Sequence, residues 1–282
     1  MKDLSGKKVL ITGGARGLGL EMALRFAQRE AHIVLADLDE GALAEARAAV
    51  EVLNVPARAW RVDVTDPASV IALRDRVQAD IGAIDVLVNN AGVVFGGPFA
   101  DVPLGQHFKT FGVNTLGVVA MTHAFLPDLV SRPEAHLVNI ASASGFIGLP
   151  YGSTYAASKW AVIGFSESIR SELKLIGQDH VGVTIVCPSY IGTGMFEGAR
   201  PPKATRLLEP EFVAAKVVEA VEHDRLYLLE PWIVKMTPIL RDLLPTRLSD
   251  MLGAALGANT GMTGWTGHGP PQKGSRSEPE RD

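Results

Sequence analysis

Cysteine is nearly absent: Cys187 is the only one among 282 residues. That excludes an internal disulfide and any cysteine-built metal site, and leaves Cys187 as a small buried hydrophobe. The seven histidines show neither H-x-x-x-H nor H-E-x-x-H spacing, so no metal is expected. No run of 18 or more apolar residues occurs, and no membrane span is expected. An excess of one charge is lacking too: the net charge of -4 gives no reason to expect a nucleic-acid partner. A G-x-S-x-G elbow is missing, and no His or Asp stands at suggestive spacing from Ser142, which argues against a hydrolase. The apolar run near the N-terminus is too short for a signal-peptide core, so the expected location is cytoplasmic.

What is present is a globular composition, 47% hydrophobic and 21% charged. Strand-like runs recur at residues 7–12, 32–37, 58–63, 84–90, 136–142, 181–188 and 226–230, each pair separated by room for one helix. Several are apolar on consecutive positions, the mark of strands covered on both faces. Asp66 followed by Pro67 reads as an N-cap and first helical residue. Alternating strands and helices predict right-handed crossovers: an α/β fold, a doubly wound, Rossmann-type parallel sheet of about seven strands, in a single domain over residues 1–260. Within it, residues 231–260 form a helical extension: short helices packed on the domain, a substrate lid, a subunit contact or a membrane-surface helix. Residues 261–282, rich in Gly, Pro, Ser and charge, read as a disordered tail.

The first strand runs into TGGARGLG, residues 12–19. Gly13, Gly17 and Gly19, with Arg16 and Leu18 between them, form a strand-to-helix turn whose backbone N–H groups can approach an anion at a helix N-terminus. The second strand ends in Asp37, eighteen positions after Gly19, near the spacing at which a carboxylate accepts hydrogen bonds from an adenosine ribose. A carboxylate there favours a free 2'-hydroxyl, so the expected cofactor is NAD; Arg16 inside the turn pulls toward NADP. Later, YAASK places Tyr155 and Lys159 four apart on one helix face, where an ammonium favours the phenolate and tunes the phenol for acid/base work.

In combination these motifs resemble the short-chain dehydrogenase/reductase family over residues 5 to about 230: TGGARGLG, Asp63 after the third strand, NNAG at 89–92, Asn114 in FGVNTLG, Ser142 in NIASASG, YAASK, and PSYIGT at 188–193. The resemblance implies a catalytic tetrad. Tyr155 would exchange a proton with the substrate oxygen and Ser142 would hydrogen-bond the same oxygen. Lys159 would lower the Tyr155 pKa and hold the nicotinamide ribose, and Asn114 would hold a relaying water through its helix backbone. It further places Asp63 and Val64 near the adenine, Asn90, Ala91 and Gly92 along the middle of the cofactor, and Pro188, Ile191 and Thr193 by the nicotinamide. Ser189 stands where the family often has Gly.

By the same analogy the substrate pocket draws on Val94, Phe95, Ser144, Phe146, Leu149, Tyr151, Met195 and Phe196, with Arg200 and Lys203 left in solvent. This mostly apolar set predicts a hydrophobic secondary alcohol or ketone as substrate. The expected protein is an NAD-dependent oxidoreductase, built as a homodimer or homotetramer through the helices near 102–130 and 153–176. An NADP-preferring carbonyl reductase and a non-catalytic dinucleotide sensor are the alternatives.

Overall fold

The computed structural model describes residues 1–267 except 204, so the end of the expected tail, residues 268–282, lies outside the described residues. Seven parallel strands form one sheet in the order β3-β2-β1-β4-β5-β6-β7: β1 (Lys8–Thr12), β2 (His32–Asp37), β3 (Ala57–Arg61), β4 (Val86–Asn89), β5 (Ala135–Ile140), β6 (Val181–Pro188) and β7 (Tyr227–Glu230). The consecutive apolar positions have the predicted cause. Leu10, Val34 and Leu87 face one core while Val9, Ile11 and Ile33 face the other.

On one side lie α1 (Gly17–Ala27), α2 (Glu40–Glu51) and α7 (Pro210–Glu222), which bury Phe26, Leu43 and Val217. On the other, α3 (Pro67–Ile81), α5 (Gly117–Ser131) and α6 (Ser153–Leu175) bury Val77, Phe125 and Leu173. The predicted doubly wound fold is the one observed. Asp66 caps α3 as expected, its side chain accepting from the Ala68 N–H at 3.0 Å.

Between β4 and α5 the chain forms α4 (Leu104–Phe111) and then a single π-helical turn, Gly112–Leu116, that carries Asn114. The continuous stretch Leu104–Ser131 is long and apolar enough to cross a membrane by length and composition alone, although no single apolar run in the sequence signals it. Within it, Met121, Phe125 and Leu129 of α5 are completely or nearly completely buried against the sheet, while Leu104, Phe108 and Leu116 at its N-terminal end are exposed.

After β7 the expected helical extension is present as α8 (Met236–Leu243) and α9 (Thr246–Leu256). The domain does not end at 260, where the composition placed its edge. Met262 is 1% exposed and packs with Val94 and Tyr155. The Trp265 indole N–H donates to the Met195 carbonyl at 3.1 Å, and the Thr266 N–H donates to the Glu197 carbonyl at 3.0 Å. Two bulky apolar side chains hold a Gly-rich segment that composition alone assigns to disorder.

Candidate active site

The strand order reverses between β1 and β4, and in open α/β sheets a ligand crevice lies outside the carboxyl ends of the strands at such a point. Gly13 follows β1 with φ +61°, a conformation L side chains rarely adopt, and a Cβ there would stand 2.9 Å from the Ala91 Cα. A Cβ on Gly19 would fall 2.0 Å from the Gly13 carbonyl oxygen. Gly17, with φ +54°, lies against the Thr193 side chain. Leu18 points inward, buried in the core. The turn is thus folded tightly on itself, with bare backbone at the start of α1, a cradle suited to a diphosphate.

The expected cofactor residues divide by role. The Asn90 side chain donates to the carbonyls of Thr12 and Gly13, both at 3.0 Å, and the Ala91 N–H donates to the Thr12 hydroxyl at 3.1 Å. These two residues therefore fix the glycine turn from beneath. The Asp37 carboxylate accepts from the N–H groups of Ala15 (3.1 Å) and Asp39 (3.2 Å), so it is held at the tip of β2. Arg16 is paired with Asp39, whose carboxylate also caps α2 through the Ala42 N–H. Asp63 accepts from the Thr65 hydroxyl at 2.6 Å and from its N–H at 2.9 Å, hydrogen bonds that hold its carboxyl below the ordinary range. Val64 packs beside Gly117, and Ile191 is buried and bridges to Leu208.

Two of the four tetrad residues, Asn114 and Lys159, come together behind Gly92. A Cβ on Gly92 would lie 3.5 Å from Asn114 Oδ1 and 3.7 Å from Lys159 Nζ. The Asn114 side chain is fully engaged: its amide donates to the Val93 carbonyl (2.9 Å) and the Ser158 hydroxyl (3.0 Å), and its oxygen accepts from the Val93 N–H (2.8 Å). Any contact it makes to a proton relay passes through its backbone, in the π turn. Such turns interrupt the regular ladder and recur at functional sites.

Ser142 follows β5, with its hydroxyl 3.5 Å from the Pro188 carbonyl and accepting from the Ser144 N–H. Lys159 Nζ donates to the Ile140 carbonyl at 2.8 Å and lies 5.7 Å from the centre of the Tyr155 ring. Burial lowers the Lys159 pKa to about 8. Burial also dominates at Tyr155 and raises its phenol above the ordinary value, while the Ser142 hydrogen bond pulls it down. The expected lowering by Lys159 is not seen in the protein alone: burial sets the direction at Tyr155, and the Lys159 ammonium donates to the Ile140 carbonyl. Cys187, fully buried beside them, has its thiol pushed up to about 12 by burial and is inert.

Next to Ser142 and Tyr155 opens a cavity of about 900 Å³. Of the residues predicted for it, Ser144, Phe146, Leu149 and Phe196 line it. Val94 is completely buried in the wall behind Tyr155, and Met195 packs in that wall with its carbonyl holding Trp265. Tyr151, 41% exposed with φ +62°, and Phe95 are not among the lining residues. Ser189, the departure from the family pattern, does line it, beside Tyr190. The extension supplies lining that motif reading missed: Ile233, Val234, Leu244 and Leu256. The only signal for them was roughly helical spacing of apolar residues along 231–257, a stretch interrupted by Pro238 and Pro245.

Comparison with known proteins agrees with this geometry. The short chain dehydrogenase family model matches residues 7–204, and the chain belongs to that family. The mouse (Mus musculus) epidermal retinol dehydrogenase 2 is 36% identical over 94% of this chain and 87% of its own length. The human (Homo sapiens) 17-beta-hydroxysteroid dehydrogenase 13 is 31% identical over 89% and 83%. Among solved structures, a short chain dehydrogenase/reductase from Burkholderia phymatum in complex with NAD superposes with a TM-score of 0.79 at 30% identity, covering 86% of this chain and 95% of the other. The protein is an oxidoreductase, and a nicotinamide dinucleotide is its class of cofactor.

Proposed function

We propose that the protein is an NAD-dependent dehydrogenase or ketoreductase that interconverts a hydrophobic secondary alcohol and its ketone. One observation carries the reading: the buried Ser142 and Tyr155 open directly onto a large, mainly apolar cavity at the end of the sheet where the glycine cradle lies. Held at the glycine cradle of residues 13–19, NAD would supply the hydride acceptor for the carbinol carbon. The chain does the rest. Ser142 and Tyr155 hold the substrate oxygen, Tyr155 receives its proton, and Lys159 positions the ribose and supplies positive charge that favours the phenolate. In the ketone-reducing direction Tyr155 gives the proton back.

Preference for NAD over NADP rests on Asp37, placed at the tip of β2 where a 2'-phosphate would meet its charge, and on the pairing of Arg16 with Asp39, which occupies the one cation of the turn. The names of the relatives, retinol and hydroxysteroid dehydrogenases, support an apolar alcohol. A homo-oligomer is supported by the apolar side chains that α4 and the turn after it leave in solvent: Leu104, Phe108 and Leu116 are 66%, 69% and 63% exposed, next to Phe99 at 67%.

The test is turnover of a panel of apolar secondary alcohols with NAD and with NADP, by wild type and Asp37→Ala. The expected outcome is activity with NAD that exceeds activity with NADP, a ratio that Asp37→Ala reduces by about tenfold or more. Equal or better use of NADP by wild type would overturn the cofactor preference.

A further inference from the structure

Among the described residues that line the cavity, one carries a formal charge: Arg241, from α8. It is exposed to solvent and so stands at the mouth. Its guanidinium lies 4.1 Å from the centre of the Trp160 ring, and one of its N–H groups donates to the Phe146 carbonyl at 3.3 Å. A guanidinium has five donors in a rigid fork, so a stacked and partly bonded one is already oriented and still has donors to offer. Arg200 and Lys203, which the sequence analysis left in solvent, are not lining residues; their backbones hold the chain around 256–261.

From this we infer that the cavity binds amphiphiles head outward: an apolar body lies inside, with the alcohol or ketone at Ser142 and Tyr155, and a carboxylate at the opposite end pairs with Arg241. The inference narrows the proposed substrate class and rests on that reading for the reacting end. The physical division of the site favours it. Ile147, Leu149, Phe196, Ile233, Val234 and Leu244 make the walls apolar, which suits a hydrocarbon body. A carboxylate at a solvent-exposed mouth keeps much of its hydration and loses little on binding, whereas the same group inside would meet no cation among the described lining residues.

Binding can be read without turnover, because Trp160 lies under Arg241 and its fluorescence reports on the site. Decanoate and methyl decanoate are titrated into wild type, Arg241→Met and Arg241→Lys at low and high salt. Wild type is expected to bind decanoate about fivefold more tightly than the ester at low salt, with the preference shrinking at high salt. Arg241→Met is expected to lose the preference while keeping ester affinity, and Arg241→Lys to retain part of it. Equal affinity of wild type for the two ligands, or a preference that survives in Arg241→Met, would overturn the inference. So would an equal loss of both ligands in Arg241→Met, since that marks Arg241 as a clamp holding α8 on Trp160. Failure of the proposed function shows separately, as absence of NAD turnover with apolar alcohols whatever the binding preference.

Discussion

Tyr155 carries the proposed proton transfer, and its surroundings set the pH at which it can act. Burial lifts its phenol above the ordinary value while burial lowers Lys159 to about 8, so in the protein alone the ammonium is only partly retained above pH 8 and the phenolate is disfavoured. Alcohol oxidation needs the phenolate, and kcat/KM for oxidation is therefore expected to rise as pH goes from neutral into the alkaline range, with ketone reduction showing the opposite slope. A profile for oxidation that falls over that range would contradict the assignment. Tyr155, Lys159 and Ser142 were legible because short motifs fix their types and spacing. The Lys159 bond to the Ile140 carbonyl was not legible, since it depends on how far α6 stands from the end of β5. Tyr151 misled for a related reason: its aromatic type suits a pocket, but its side chain is exposed and outside the cavity lining, although Leu149, Pro150 and Ser153 beside it line the cavity.

The strands and helices were read with little error because burial on both faces leaves so direct a mark. Residues 32–37 and 181–188 are β2 and β6 to the residue. Polar exceptions inside those apolar strands are the informative ones. His136 on β5 is 1% exposed, with its Nε2 at 2.8 Å from the Thr184 hydroxyl and its Nδ1 at 3.9 Å from Asp224. Burial, with the N-terminal ammonium adding to it, lowers its pKa from 6.5 to about 3. The folded protein therefore refuses a proton that the unfolded chain accepts below about pH 6.5. Stability from this residue is fully present above that pH and is lost as pH falls toward 3. Urea unfolding midpoints are expected to drop over the window in wild type and to drop less in His136→Gln; identical slopes would show that His136 is not the cause. No pattern of spacing marks this residue, because its neighbours β6 and the loop at Asp224 arrive from far along the chain.

The same distance effect explains what was missed in the assembled protein. Trp265 reaches the Met195 carbonyl across 70 positions of sequence, and Met262 seals the wall behind Tyr155, so the chain returns to its own active site at a place where local composition is that of a loop. Trp265→Ala is expected to loosen this seal: KM for an apolar alcohol rises severalfold while NAD binding stays unchanged, measured by steady-state kinetics and by direct titration. A matching loss of NAD affinity would mean the segment supports the cofactor groove instead. The proposed homo-oligomer predicts that Phe108→Glu, which places a charge on the exposed apolar face of α4, yields a smaller species by light scattering with helical content unchanged; an unaltered mass would assign that face to solvent. The most direct measurement of the central claim is formation of reduced nicotinamide by wild type and Tyr155→Phe with NAD and an apolar secondary alcohol, alongside NAD binding by each. Removing the phenolic hydroxyl is expected to cut kcat by about a hundredfold or more, with NAD bound as well as before. Turnover by Tyr155→Phe equal to wild type would contradict the account.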